Sequence, residues 1–125
     1  PLREVIENKR VIVVDDSIVR GTTSKQIVKM LFDTGAKEVH FLVSSSPVKF
    51  PDFYGIDLPR WQDLLASKKS IPEMNEYLGS TSLNFLSYDG MVSATGLDES
   101  LLCTSCFSGV YPIDVKNAII REKTG

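Results

Sequence analysis

The sequence predicts an α/β fold built on a parallel sheet with flanking helices. Three observations carry that expectation. Val11–Val14 is a β-branched apolar run bounded by charge, as in strands buried on both faces of a parallel sheet. A helical apolar spacing follows at Ile27, Val28, Met30, Leu31 and Phe32, and Gly35 stands where such a helix should stop. A second β-branched run, Val39–Val43, then completes a strand–helix–strand unit. Such units are normally right-handed, with their loops at the carboxyl edge of the sheet.

The elements follow in order. Pro1–Ile6 reads as a short piece of helix, and the absence of an initiator methionine suggests a domain fragment. Residues 10–14 are the first strand and 15–21 a loop. The first helix starts at Thr22. Ser44-Ser45-Ser46-Pro47 ends the second strand. Residues 47–59 carry three prolines and Gly55, so an irregular loop is expected. Short helices are predicted over 61–66 and 71–78, the second with Pro72 in its first turn and Gly79 after it. Residues 83–86 form a third strand and 87–95 a helix weakened by Gly90. From Gly96 to Pro112 the chain reads as loop, and the tail from Ile113 as partly helical. The expected division is 1–96 for the α/β body and 97–125 for a C-terminal loop and tail.

Composition narrows the function. The chain of 125 residues is 42% hydrophobic, enough for one modest core. Its 14 basic and 16 acidic side chains leave a net charge of −2, which argues against nucleic-acid binding driven by bulk charge. No apolar run approaches the ~20 residues of a membrane helix, and no signal peptide is evident. Two cysteines three apart, Cys103 and Cys106, suit metal or redox chemistry in a reducing compartment better than a disulfide framework. A cytoplasmic protein with no membrane partner is expected.

The stretch "VIVVDDSIVRGTTS", Val11–Ser24, holds the candidate site. Its second half is suited to a phosphate. Gly21 allows close backbone approach, Thr22, Thr23 and Ser24 add hydroxyls, and the helix beginning there offers free N–H groups and a positive dipole end. Asp15 and Asp16 at the strand end suit ribose hydroxyls, directly or through Mg²⁺. A phosphate at one end and vicinal hydroxyls at the other describe a ribose 5-phosphate. An apolar strand followed by capping residues is also common in α/β proteins for structural reasons alone. A phosphorylation receiver would share the paired aspartates and place its phospho-acceptor at Asp57. However, Pro51 and Gly55 interrupt the strand such a domain needs, and its usual lysine has no counterpart.

The full string resembles the phosphoribosylpyrophosphate (PRPP) motif of type I phosphoribosyltransferases. "VDDSIVRGTTS" is most similar to the glutamine PRPP amidotransferase family, as are "TGAKEVHFLVSSSPVKFPDFYGIDLP", "LLASKKSIPEMNEYLGSTSLNFLS" and "CTSCFSGVYP", so the likeness covers almost the whole chain. It implies the C-terminal part of a type I phosphoribosyltransferase domain from the first committed enzyme of purine synthesis. That enzyme converts PRPP and glutamine to phosphoribosylamine, glutamate and pyrophosphate. By the same resemblance, Asp15 and Asp16 address the ribose hydroxyls and Mg²⁺, and Ser17, Arg20, Gly21, Thr22, Thr23 and Ser24 wrap the 5-phosphate. No catalytic residue is assigned within this chain. The N-terminal glutaminase domain and the closing loop lie outside it, so the segment alone is expected to be inactive. The intact protein is expected to be a homo-oligomer with purine nucleotides as feedback ligands. A non-catalytic PRPP-binding regulator of the same fold is the alternative.

Part of this family carries a [4Fe–4S] cluster on four cysteines, and Cys103 and Cys106 match two of them. Asp52 stands where those members have another ligand cysteine, which sets the cluster in doubt, and the fourth ligand would lie upstream of this chain. Without it, the pair is two reduced thiols in a loop. His40 is expected to be a satisfied or edge histidine, Trp61 to cap the core, and Lys68-Lys69 to be a solvated turn.

Overall fold

The computed structural model describes residues 2–55 and 60–116. Asp57 and the tail beyond Lys116 lie outside the described residues. Three parallel strands, β1 (Arg10–Asp15), β2 (Glu38–Val43) and β3 (Ser82–Phe85), lie side by side in that order. Helix α1 (Arg3–Ile6) precedes them and α2 (Thr22–Asp33) joins β1 to β2. A 3₁₀ turn (Trp61–Asp63), α3 (Leu65–Lys68) and α4 (Ile71–Leu78) join β2 to β3. Helix α5 (Tyr88–Thr95), a 3₁₀ turn (Glu99–Leu101) and α6 (Ser105–Ser108) follow.

Alternation along the strands sets the layers. Val39, Phe41 and Val43 of β2 and Leu83 of β3 point to one face and are buried. There they meet Val28 and Leu31 of α2, Leu65 and Ala66 of α3, and Met74 and Leu78 of α4. Helical spacing of 28 and 31, and of 74 and 78, puts each pair on the inward side of its helix. The opposite sheet face carries Ile12 and Val14, which are 64% and 69% exposed. The expectation that β1 is buried on both faces is therefore corrected. β1 is an edge strand of the described sheet, and no described element covers that face.

His40 sits on this open face with partners on both ring nitrogens. Nδ1 lies 2.8 Å from Ser82 Oγ, and Nε2 lies 2.9 Å from the Glu38 carboxylate. The contact with His40 holds the Glu38 carboxyl below the usual carboxylate range. It is a satisfied cross-strand histidine, as expected. Trp61 packs edge-on against Phe50, with ring centroids 5.4 Å apart. Lys68 and Lys69 are exposed, as a solvated turn requires.

Two other expectations need adjusting. The helix expected over 61–66 is split, because Leu64 adopts an extended backbone (φ −75°, ψ 119°) and buries its side chain between the two short turns. The segment read as loop from Gly96 contains two short helical turns.

Helix α4 begins as predicted. The Glu73 carboxylate accepts both the N–H and the O–H of Ser70, each at 2.7 Å, while the Ser70 side chain faces the Glu73 N–H in return, completing a capping box. The Ser70 hydroxyl holds the Glu73 carboxyl below its ordinary value. A depressed acidic pKa contributes stability above the unfolded value of about 4.3 and loses it as pH falls through the folded value. Ser70→Ala in the full-length protein should lower stability at neutral pH by about 1 kcal/mol. The deficit should shrink in acid, and thermal melts at several pH values check this.

Candidate functional site

The candidate site forms where β1 ends and α2 begins. Asp15 is the last residue of β1. Its carbonyl accepts the Ser44 N–H at 2.9 Å and the Ser44 hydroxyl at 3.1 Å, so the end of β2 holds it in place. The Asp15 carboxylate accepts the Asp16 N–H at 3.0 Å, and the Asp16 carboxylate accepts the Ser17 hydroxyl at 3.3 Å. Both acids therefore stay at the mouth of the loop.

The loop is pinned from below. Ile18 is 1% exposed and belongs to the hydrophobic core. The neighbouring Val19 carbonyl accepts the Leu65 N–H at 2.9 Å. Gly21 then caps α2 in the left-handed region, at φ +76°, a conformation that L side chains adopt only at a cost. A Cβ built on Gly21 would lie 2.6 Å from Leu65 Cδ2 and 3.2 Å from Tyr77 Cε1. Glycine is thus required here by backbone conformation and by close packing against α3 and α4. The close packing is the part that the sequence alone does not show.

Beyond Gly21 the N–H groups of Thr22, Thr23 and Ser24 precede the first intrahelical acceptor, and Lys25 N–H is the first to reach back, to Gly21 O at 2.9 Å. No acidic residue stands in this first turn. The Ser24 side chain is 4% exposed, and among the described residues its hydroxyl makes no hydrogen bond. Arg20 is exposed and makes no ion pair among the described residues. A cavity of about 480 Å³ is lined by every residue from Asp15 to Ser24 except Ile18. That volume falls in the range of about 300–1,000 Å³ usual for small-ligand sites. The residues expected to bind PRPP, from Asp15 to Ser24, thus line one cavity, while Cys103, Cys106 and Asp52 lie outside it. Ile18, Ser44 and Leu65, which shape it, were not singled out; their roles depend on contacts distant in sequence.

The electrostatics divide the cavity. One end offers unpaired N–H groups, hydroxyls and a helix dipole, which favour an anion. The other end offers two carboxylates, which repel an anion but accept hydroxyl groups or a hard cation. The donor set fits Mg²⁺ bound by Asp15 and Asp16 together with ligand oxygens.

The second candidate site is the C-terminal turn. Cys103 is exposed and Cys106 half-buried, and both are free. The Cys106 carbonyl accepts the N–H groups of Lys49 and Phe50, at 3.0 and 3.1 Å, which fastens the turn to the loop carrying Asp52. Burial pushes the Cys106 thiol up, and Asp52 and Cys103 nearby add to the shift. The structure thus brings Asp52 near the cysteines. Its carboxylate nevertheless accepts the Tyr54 N–H at 2.9 Å in a local turn. Among the described residues no group of three or more His, Cys, Asp or Glu converges as metal ligands. Two thiols and one carboxylate engaged with the Tyr54 N–H are the ligand-type groups that the described residues bring to this turn.

A parallel sheet whose first strand ends in paired aspartates, followed by a glycine turn and a helix N-terminus, matches the type I phosphoribosyltransferase fold that the resemblance implies. Comparison with known proteins takes this further: in sequence and in fold, the chain corresponds to a segment of the amidophosphoribosyltransferases. It is 49% identical over 98% of its length to the amidophosphoribosyltransferase of Synechocystis sp.. It is 47% identical over its whole length to amidophosphoribosyltransferase 1, chloroplastic, of Arabidopsis thaliana. It spans 25% and 22% of the length of these two relatives. The solved structure of the Bacillus subtilis glutamine PRPP amidotransferase, complexed with ADP and GMP, matches with a TM-score of 0.85 and 47% identity. That match covers 91% of this chain and 26% of the other. No protein-family model matches the chain. No strand runs between Phe50 and Gly55 where a receiver would need one. No helix among the described residues is long and apolar enough to cross a membrane.

Proposed function

We propose that this chain is the part of an amidophosphoribosyltransferase that holds the ribose 5-phosphate portion of PRPP. The observation that carries the proposal is the divided cavity from Asp15 to Ser24. The 5-phosphate lies on the N–H groups and hydroxyls of Thr22, Thr23 and Ser24, with Ser17 at the turn and Arg20 drawing in the polyanion. The ribose hydroxyls face Asp15 and Asp16. Asp15 and Asp16 would hold a Mg²⁺ ion, which would supply positive charge toward the leaving pyrophosphate.

In the intact protein, ammonia released from glutamine attacks the anomeric carbon. The carbon–nitrogen bond forms as the bond to pyrophosphate breaks, through an oxocarbenium-like state. The residues of this chain do not donate or remove protons in that reading. They fix the ring and the phosphate so that the anomeric carbon meets its nucleophile in line. A purine nucleotide shares the ribose 5-phosphate unit and would occupy the same cradle as a feedback ligand. The two free thiols are in keeping with a reducing compartment, the cytoplasm in the first instance.

Calorimetric titration of the full-length protein with PRPP, with and without Mg²⁺, tests the assignment. Thr23→Ala should weaken binding of both PRPP and ribose 5-phosphate by about 1 kcal/mol, the usual worth of one hydrogen bond. Equal affinities in the two proteins would remove the 5-phosphate from this turn.

A further inference from the structure

The Cys103–Cys106 turn is chemistry-bearing, yet the phosphate cradle makes no use of it. Its two sulfurs differ in setting. Cys103 is exposed and lines a cavity of about 590 Å³ that also borders Asp98 and Glu99. Cys106 is half-buried behind it, in the short helix α6. We propose that Cys103 and Cys106 form a redox-active dithiol that closes to an intramolecular disulfide when a peroxide oxidises Cys103, and that they do not ligate an iron–sulfur cluster.

The backbone supports closure. Cys103 stands just before α6 and Cys106 within it, near enough that, after burial, a charge on Cys103 adds to the raising of the Cys106 thiol. Closure to a disulfide, whose Cβ atoms stand about 3.5–4.5 Å apart, is a movement of Cys103 toward Cys106. The structure provides a side that moves and a side that stays. Cys106 is held through its carbonyl by Lys49 and Phe50 and lies in a turn closed by Gly109 N–H to Ser105 O at 2.8 Å. Cys103 precedes Thr104, whose backbone (φ −116°, ψ 16°) lies outside the helix, so rotation at Thr104 swings Cys103 without breaking α6. In the present position Cys103 Sγ lies 3.4 Å from Ser105 Oγ, a weak contact to give up.

The donor set argues against the cluster. Asp52 stands where a third thiolate would be needed, its carboxylate accepts the Tyr54 N–H, and no three ligand-type side chains converge among the described residues. A dithiol needs nothing beyond the pair.

The chemistry balances in two steps. The exposed Cys103 thiolate attacks one peroxide oxygen. The O–O bond breaks, the leaving hydroxide takes up a proton as water, and Cys103 becomes a sulfenic acid. Cys106 then attacks the Cys103 sulfur. The S–O bond breaks, a second water leaves and the disulfide forms. Two thiols lose two electrons and one peroxide becomes two waters. A dithiol reductant reverses the change by exchange.

The test uses the full-length protein, fully reduced and then treated with hydrogen peroxide. After alkylation and trypsin digestion, both cysteines fall in the peptide from Ser70 to Lys116, which contains no other Lys or Arg. The expected product is that peptide lighter by two hydrogens and unalkylated, with double alkylation restored by dithiothreitol. Cys106→Ser should stop at a sulfenic acid on Cys103 that dimedone traps. Cys103→Ser should slow oxidation at the remaining thiol by about tenfold or more, since reactivity follows exposure. Both thiols surviving peroxide, oxidation that leaves Cys106 free in the wild type, or iron and sulfide bound by the wild type and lost in both variants would each overturn the proposal. None of these outcomes depends on whether PRPP binds.

Discussion

Asp15→Asn and Asp16→Asn, each made in the full-length protein, should weaken use of PRPP by about 1–3 kcal/mol, or roughly 5- to 150-fold. The size follows from the loss of a charge-assisted hydrogen bond to a ribose hydroxyl or of a ligand charge toward Mg²⁺. The fold should be little affected. An asparagine amide oxygen can still accept the Asp16 N–H that the Asp15 carboxylate now accepts, and the Asp15 carbonyl bonds to Ser44 are untouched by the change. Inorganic phosphate should bind nearly as well to either variant, because the N–H end of the cavity is unaltered. Steady-state kinetics, phosphate calorimetry and a thermal melt on the same samples separate these outcomes. Equal losses for phosphate and PRPP would mean that the aspartates shape the whole loop rather than address the ribose.

Gly21→Val should damage the fold before it damages binding. The left-handed backbone at φ +76° costs an L side chain about 1–2 kcal/mol. Forcing a Cβ to 2.6 Å from Leu65 adds an overpacking cost of about 1–3 kcal/mol. Together the expected loss is about 3 kcal/mol, read as a lower denaturation midpoint. Gly21→Ala should lose somewhat less. Combining Gly21→Ala with Leu65→Ala should cost less than the sum of the single changes, because removing Cδ2 relieves the clash. Strict additivity would show that Leu65 does not press on Gly21. Either way, Gly21→Val is a poor probe of the phosphate, and Thr23→Ala, exposed and outside that contact, is the better one.

The parts legible from sequence share a trait: their determinants are local. The β1–loop–α2 passage was readable because β-branched residues, paired acids and a Gly-Thr-Thr-Ser turn specify it within fourteen residues. The span of α4 is legible in the sequence, since Pro72 and Gly79 mark its ends. What could not be read depends on contacts across the chain. The open face at Ile12 and Val14 is indistinguishable, in a run of valine and isoleucine, from a covered one. Ser82, the hydroxyl partner of His40, lies 42 residues away. The short helix at Ser105–Ser108 has small polar residues that suit a loop equally well, and its attachment to Lys49 and Phe50 is invisible to any local pattern. The paired acids and the Gly21–Ser24 turn are brought around one cavity, and packing against Leu65 and Tyr77 gives Gly21 a role that no local pattern shows.

Ile18 has a consequence for how a ligand is received. It is an isoleucine in the middle of a polar loop, and its side chain is sunk in the core while its neighbours line the cavity. A loop so anchored has little backbone freedom left to lose on binding. On the proposed assignment, affinity at this end of the site rests on how well donors fixed in advance match the 5-phosphate.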